Sequence, residues 1–129
     1  MAPVAASAVI EADADRIAQV VTNLLDNAVR HTPRGGSVNV TVDQVGARVR
    51  ITVADDGQGI PSEHLPHVFD RFYRVGSARD RAHGGSGVGL SIARAITEAH
   101  GGTITVHSDG PGRGAAFTVM LPVRPTLAV

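Results

Sequence analysis

The sequence predicts an α/β fold, a mixed but mostly antiparallel sheet of about five strands covered on one face by about three helices. Three observations carry that expectation. Between Ile17 and Val29 the apolar residues Ile17, Val20, Val21, Leu24, Leu25, Ala28 and Val29 repeat with the helical period. On either side of Gly46, Val38, Val40 and Val42, then Val49, Ile51 and Val53, alternate with polar residues as a half-buried hairpin does. Strands and helices do not alternate regularly along the chain, which argues against a doubly wound parallel sheet.

At 129 residues the chain is expected to form one domain, with a core of residues 7–122. Ser7 to Ala12 reads as a short strand centred on Val9 and Ile10. Asp13 or Asp15 can cap the helix that follows, and Thr32-Pro33-Arg34-Gly35-Gly36 ends it. After the hairpin comes Asp55-Asp56-Gly57-Gln58-Gly59-Ile60-Pro61. Ser62 to Phe72 has the apolar spacing of a short helix interrupted at Pro66. Tyr73 to Ser86 loses all periodicity and reads as a mobile loop. Helix resumes at Val88, with Ile92, Ala95, Ile96 and Ala99 on one face and Gly101-Gly102 as its stop. Thr103 to Ser108 and Ala115 to Leu121 read as strands joined by a glycine-rich turn.

Composition removes several classes of function. Formal charge is zero, which argues against a generic nucleic-acid or acidic-membrane binder. Cysteine is absent, and with it disulfides, thiolate metal sites and a thiol nucleophile. All 12 basic residues are arginine, so a lysine-bearing P-loop is excluded and any cationic clamp must be arginine. No apolar run approaches the roughly 20 residues of a membrane span, and the Ala-rich start lacks the regions of a signal peptide.

Three constellations could carry chemistry, and each also has an ordinary structural reading. Asn23, Asn27 and Arg30 project within roughly 60° of one another on the first helix. Neutral carboxamide oxygens suit Mg²⁺, but a solvated polar face would look similar. Asp55 ends a buried strand ahead of two glycines, where its carboxylate can accept a hydrogen bond from an exocyclic amine or simply close a turn. Asp56 would point the other way. Gly85, Gly87 and Gly89 lead into a helix, as a phosphate cradle or a flexible linker would. Around them Arg71, Arg74, Arg79 and Arg81 lie close to Phe69, Phe72 and Tyr73 in sequence, either as charge neutralisers with aromatic anchors or as surface charge. His64 and His67 have metal-like spacing without further ligands nearby, and an exposed helix turn suits them better.

Taken in order, these stretches resemble the ATP-binding catalytic domain of bacterial two-component sensor histidine kinases, in the gyrase, Hsp90, histidine kinase and MutL superfamily. Asn23-Leu24-Leu25-Asp26-Asn27-Ala28-Val29-Arg30 is similar to the N box and Asp55-Asp56-Gly57-Gln58-Gly59 to the first glycine box. Phe69-Asp70-Arg71-Phe72-Tyr73 is similar to the F box, Gly85 to Leu90 to the second glycine box and Gly112-Arg113-Gly114 to a weaker third.

The resemblance implies a two-layer α/β sandwich of the Bergerat type, with ATP held between the helices under a lid at residues 73–86. It implies that Asn27 coordinates Mg²⁺, with Asn23 and Arg30 near the phosphates as the other catalytic residues. Asp55 would bind the adenine amine, Gly57 and Gly59 would admit the base, and His31, Ile60, Arg74, Gly85, Gly87, Val88, Gly89 and Leu90 would line the nucleotide. Arg30 stands where lysine is frequent and His31 where tyrosine is frequent, while Ala115-Ala116 replaces hydroxyl residues, so no site is assigned there. An asparagine at position 23, where ATP-hydrolysing members carry a glutamate base, favours phosphoryl transfer to protein. The implied partners are a dimerising phosphoacceptor histidine domain of the same protein and, downstream, a response regulator, with the domain cytoplasmic, free of direct membrane contact and binding no nucleic acid. A related protein-serine kinase acting on a transcription factor and a non-catalytic ATP-sensing module are the alternatives.

Overall fold

The computed structural model describes residues 13–73 and 88–123. Helix α1 spans Ala14–His31. Asp13 caps it: its Oδ1 accepts the N–H groups of Asp15 at 3.1 Å and Arg16 at 3.3 Å, donors that the first turn cannot satisfy internally. At the other end the Thr32 hydroxyl donates to the Ala28 carbonyl at 2.7 Å. The chain then leaves through Pro33 and Gly35, the latter at φ 90°.

Strands β1 (Val38–Val45) and β2 (Arg48–Asp55) form the expected hairpin. Gly46 takes φ 58° in its turn, a conformation that costs glycine little. A 3-10 helix, Ser62–His67, follows. Pro66, which lacks an N–H, lies inside it, and the longer helix expected to Phe72 gives way to turns closed by Asp70 N–H on the His67 carbonyl and Tyr73 N–H on the Asp70 carbonyl.

Helix α2 spans Gly89–Ala99, and strands β3 (Thr103–His107) and β4 (Ala115–Pro122) complete the described chain. Gly101 at φ 77° turns the chain out of α2, and Gly102 N–H returns to the Thr97 carbonyl at 3.0 Å. The four strands are ordered β1-β2-β4-β3, and every neighbouring pair is antiparallel. The strand expected over residues 7–12 lies outside the described residues, so the described sheet is wholly antiparallel rather than mixed.

The core lies between the sheet and the two α-helices. Val49, Ile51 and Val53 of β2 stand opposite Leu121, Val119 and Phe117 of β4, and all six are buried. Their partners are Val20, Leu24 and Ala28 from α1 and Ala93 and Ile96 from α2. Phe69 meets Phe117 edge to face, with centroids 5.9 Å apart, and this anchors the segment after the 3-10 helix to the sheet.

Two expected helix faces are corrected. Val29 belongs to the apolar period of α1 but is 64% exposed; the buried stripe steps by four residues through Val20, Leu24 and Ala28. On α2 the inward face is Ala93, Ile96 and Thr97, whereas Ile92, Ala95 and Ala99 are exposed. Alanine adds apolar count to either side of a helix without deciding which side packs. Thr97 can be fully buried because its hydroxyl donates to the Ala93 carbonyl at 2.7 Å.

Truncating the centre of the stripe tests this packing. Leu24→Ala should cost about 3 kcal/mol, the ordinary loss for a buried leucine, and Val29→Ala less than about 0.5 kcal/mol, both read from urea unfolding midpoints.

Candidate functional site

The site grows from the register of the two central strands. Asp55 and Ala115 are directly paired, so the turn that leaves β2 and the turn that enters β4 emerge side by side. Strand alternation sends Asp55 to the same face as Val49, Ile51 and Val53, towards the helices. Its Oδ1 accepts the Gly57 N–H at 2.9 Å. This fixes the carboxylate and leaves the second oxygen for another donor.

The backbone after Asp55 is clasped from two sides. Against α1, a Cβ on Gly57 would lie 2.2 Å from the His31 carbonyl oxygen, a contact that only glycine permits. Gln58 N–H donates to that oxygen at 3.0 Å, and the Gln58 Oε1 lies 3.2 Å from His31 Nδ1. Against the second turn, Gly59 at φ 71° has the Gly110 carbonyl oxygen 2.0 Å from where its Cβ would be. Gly112 N–H donates to the Gln58 carbonyl at 2.7 Å and Gly114 N–H to the Gly57 carbonyl at 3.2 Å.

Asp56 faces away, as alternation requires. It accepts Ser37 N–H at 2.8 Å and Ser37 Oγ–H at 3.1 Å, and these bonds, the backbone one first, hold its carboxyl below the ordinary value. It ties the start of β1 to the turn and makes no pair with Asp55.

Helix α1 presents Asn23 and Asn27 half-buried one turn apart. Asn23 Nδ2 donates to the Gly89 carbonyl at 3.1 Å, joining α1 to the first residue of α2. Asn27 makes no hydrogen bond within the described residues, so its carboxamide oxygen has the chemistry of a hard-cation ligand without a competing partner. Arg30 is exposed in the last turn of α1.

Val88 precedes α2 and its carbonyl accepts Ile92 N–H at 2.9 Å, while Leu90 packs on the core. A Cβ on Gly89 would meet Asn23 Cγ at 4.0 Å, an ordinary contact; its smallness is not demanded by the protein's own packing. Arg74, Gly85 and Gly87 lie outside the described residues, as do Arg79 and Arg81.

The structure thus gathers His31, Asp55, Gly57, Gly59 and Ile60 around the turn after β2, and Asn23, Val88 and Gly89 at the start of α2, the two groups sharing helix α1. The histidines with metal-like spacing are engaged otherwise: His64 Nδ1 contacts the Tyr73 hydroxyl, and His67 pairs with Asp70 at 3.1 Å. Among the described residues no group of three or more His, Cys, Asp or Glu could hold a metal. Sequence reasoning passed over Ser108. Its Oγ accepts Ile60 N–H at 3.0 Å and Gly110 N–H at 3.2 Å and donates to the Gly114 carbonyl at 2.6 Å. A serine at a strand end beside a glycine-rich turn was the available signal.

Residues 12–125 match the family described as histidine kinase-, DNA gyrase B-, and HSP90-like ATPase. The chain is 46% identical over 110 residues to the sensor protein SrrB of Staphylococcus aureus, covering 85% of this chain and 19% of that protein. It therefore spans about a fifth of that relative's length. Among solved structures, a mycobacterial sensor histidine kinase, MprB, superposes with a TM-score of 0.79 at 36% identity, over 91% of this chain and 78% of that one. Full-length ShkA in complex with AMPPNP superposes with a TM-score of 0.77 at 32% identity, over 95% of this chain and 24% of that one.

The Ser37 contact gives a pH test. A depressed carboxyl stabilises the fold above the ordinary carboxylate pKa, and that contribution is lost as pH falls through the folded-state value. Ser37→Ala should raise the Asp56 pKa in a carboxyl NMR titration and move the acid-unfolding midpoint to higher pH.

Proposed function

The chain belongs to the histidine kinase-, DNA gyrase B- and HSP90-like ATPase family, as an ATP-binding catalytic domain of the sensor histidine kinase kind, and on that premise we propose that it holds Mg-ATP for transfer of the γ-phosphoryl group to a histidine on a separate dimerising domain of the same protein. A response regulator would then receive the phosphoryl group, and the domain would work on the cytoplasmic side of a sensor kinase. No described helix is long and apolar enough to cross a membrane.

The observation that carries the reading is the fixed carboxylate of Asp55. One oxygen is committed to Gly57 N–H, and the other is left to accept from the exocyclic amine of adenine. His31 and Gln58 close the turn beneath it. Gly57 and Gly59 keep its backbone low where side chains would block it. Asn27 would hold Mg²⁺, its half-buried oxygen having no competing partner among the described residues, and Asn23 would keep the start of α2 against α1 through Gly89. Mg²⁺, where bound, would neutralise charge developing on the transferred group. Arg30 and Arg74 would add positive charge at the phosphates, and Gly85 and Gly87 would let the backbone approach them.

Asn23 has no proton-accepting carboxylate with which to activate water. The arrangement therefore suits transfer to a protein acceptor more than hydrolysis, with the rate resting on positioning and charge neutralisation. The complex of ShkA with AMPPNP, an ATP analogue, supports a nucleotide in the same fold.

Asp55→Asn tests the assignment sharply. The only side-chain oxygen of asparagine would be claimed by Gly57 N–H, leaving an NH₂ donor to face the adenine amine. ATP affinity by calorimetry should fall at least about a hundredfold, more than one ordinary hydrogen bond because donor would face donor, with circular dichroism unchanged; wild-type affinity would remove the adenine role. A second test concerns the acceptor. With γ-labelled ATP the isolated chain should take up little label, and adding a folded helical hairpin bearing the acceptor histidine should yield acid-labile phosphate on that hairpin.

A further inference from the structure

The two turns at the base of the site are joined chiefly backbone to backbone, and one side chain lies inside the junction. Ser108 follows β3, outside its ladder with β4, and its hydroxyl reaches across to Ile60, the last residue of the turn that begins at Asp55. A serine hydroxyl has one proton and two lone pairs. Here both lone pairs are used, by Ile60 N–H at 3.0 Å and Gly110 N–H at 3.2 Å, and the proton is used by the Gly114 carbonyl at 2.6 Å. A hydroxyl so saturated offers nothing to a substrate, and its neighbours His107 and Asp109 are engaged with each other at 3.1 Å. Its chemistry is positional.

We infer that Ser108 is a positioning residue for nucleotide recognition, setting the height and tilt of the turn from Asp55 to Ile60 and so the aim of the Asp55 carboxylate at the base. This rests on the reading of Asp55 as the adenine acceptor. The lever is short. Gly59, next to Ile60, is already pressed to the Gly110 carbonyl, and Gly114 is pressed to the Asp55 carbonyl, where a Cβ would lie 2.1 Å from the oxygen. Ser108 bonds on both sides of this contact, to Ile60 on one turn and to Gly110 and Gly114 on the other. Loss of the hydroxyl leaves two N–H groups and one carbonyl half-buried and unpaired, and the turns separate to let water reach them.

The selectivity between bases follows from the same geometry. Adenine presents an amine to Asp55, and hypoxanthine presents a carbonyl oxygen, so a well-aimed carboxylate favours ATP over inosine triphosphate. The two ligands carry the same triphosphate, and a defect confined to the aim of Asp55 changes their ratio.

The test measures ATP and inosine triphosphate affinities by calorimetry, with Mg²⁺, in the wild-type chain, Ser108→Ala and Ser108→Thr. Ser108→Ala should weaken ATP about tenfold and inosine triphosphate less than about threefold, and Ser108→Thr, which restores a hydroxyl, should recover most of the ATP-over-inosine preference. Amide hydrogen exchange should speed up at Ile60 and Gly110 in Ser108→Ala and stay unchanged at Val119 in the core. Should Ser108→Ala melt below the assay temperature, Ser108→Cys, with a weakly accepting sulfur, carries the same comparison. Equal loss for both nucleotides, or no loss, overturns the positioning role. Absence of ATP binding by the wild-type chain overturns the functional reading itself, and the positioning role with it; the wild-type measurement separates that result from the others.

Discussion

The close approach of Gly57 to the end of α1 is the constraint on which the site depends. A hydrogen atom is all that fits between the Gly57 backbone and the His31 carbonyl, and the Gln58 N–H converts that contact into a bond. His31 is the last residue of α1, whose Val20, Leu24 and Ala28 are buried, so its carbonyl is tied to the core through that helix. The turn after Asp55 is thereby referenced to the helix that carries Asn23 and Asn27. On the proposed reading, base recognition and cation binding, which would otherwise sit on independent loops, would share one origin.

Helix α2 is pinned to α1 at both of its own ends. Asn23 Nδ2 on the Gly89 carbonyl holds the start of α2. At the far end His100 Nδ1–H donates to the Ile96 carbonyl, which fixes the ring's tautomer, and its Nε2 accepts the Asp13 N–H at 3.1 Å. The pair runs antiparallel over the sheet, with Leu24 and Ala93 fully buried. Moving α2 along α1 would break both polar contacts and expose that packing together, so α2 has little freedom to slide. Its first residue is therefore a stable edge for the chain that leads into it.

Most of this was legible from the residues. The period of α1, the valine alternation in the hairpin, the Asp13 cap and the stops at Pro33 and Gly101 are local signals whose physical causes act within a few residues, and they appear where expected. The errors lie where local pattern does not decide. Val29 shares the period but not the stripe, and α2 rotates towards Thr97 because its hydroxyl is satisfied within the helix. Ser108 offered only a weak local signal, for a different reason. Its partners Ile60 and Gly114 come together only through the register of β2 with β4, and nothing in the order of residues announces that pairing.

What the described site lacks in reactive groups agrees with what it offers in fixed ones. The Ser108 hydroxyl has no capacity left, His31 Nδ1 is engaged with Gln58, and Asp56 is turned to Ser37. Among the described residues Asp55 has one oxygen without a hydrogen bond, at the end of a buried strand, and Asn27 has its carboxamide without one. Such groups are placed to bind and orient a ligand. On the proposed reading, a site of this composition would lower a barrier by fixing its ligand before reaction and by neutralising charge, which places the demand on turn geometry. The glycines at 57, 59 and 114, each with a carbonyl oxygen where its side chain would be, are then as much part of the working site as the residues that touch a ligand.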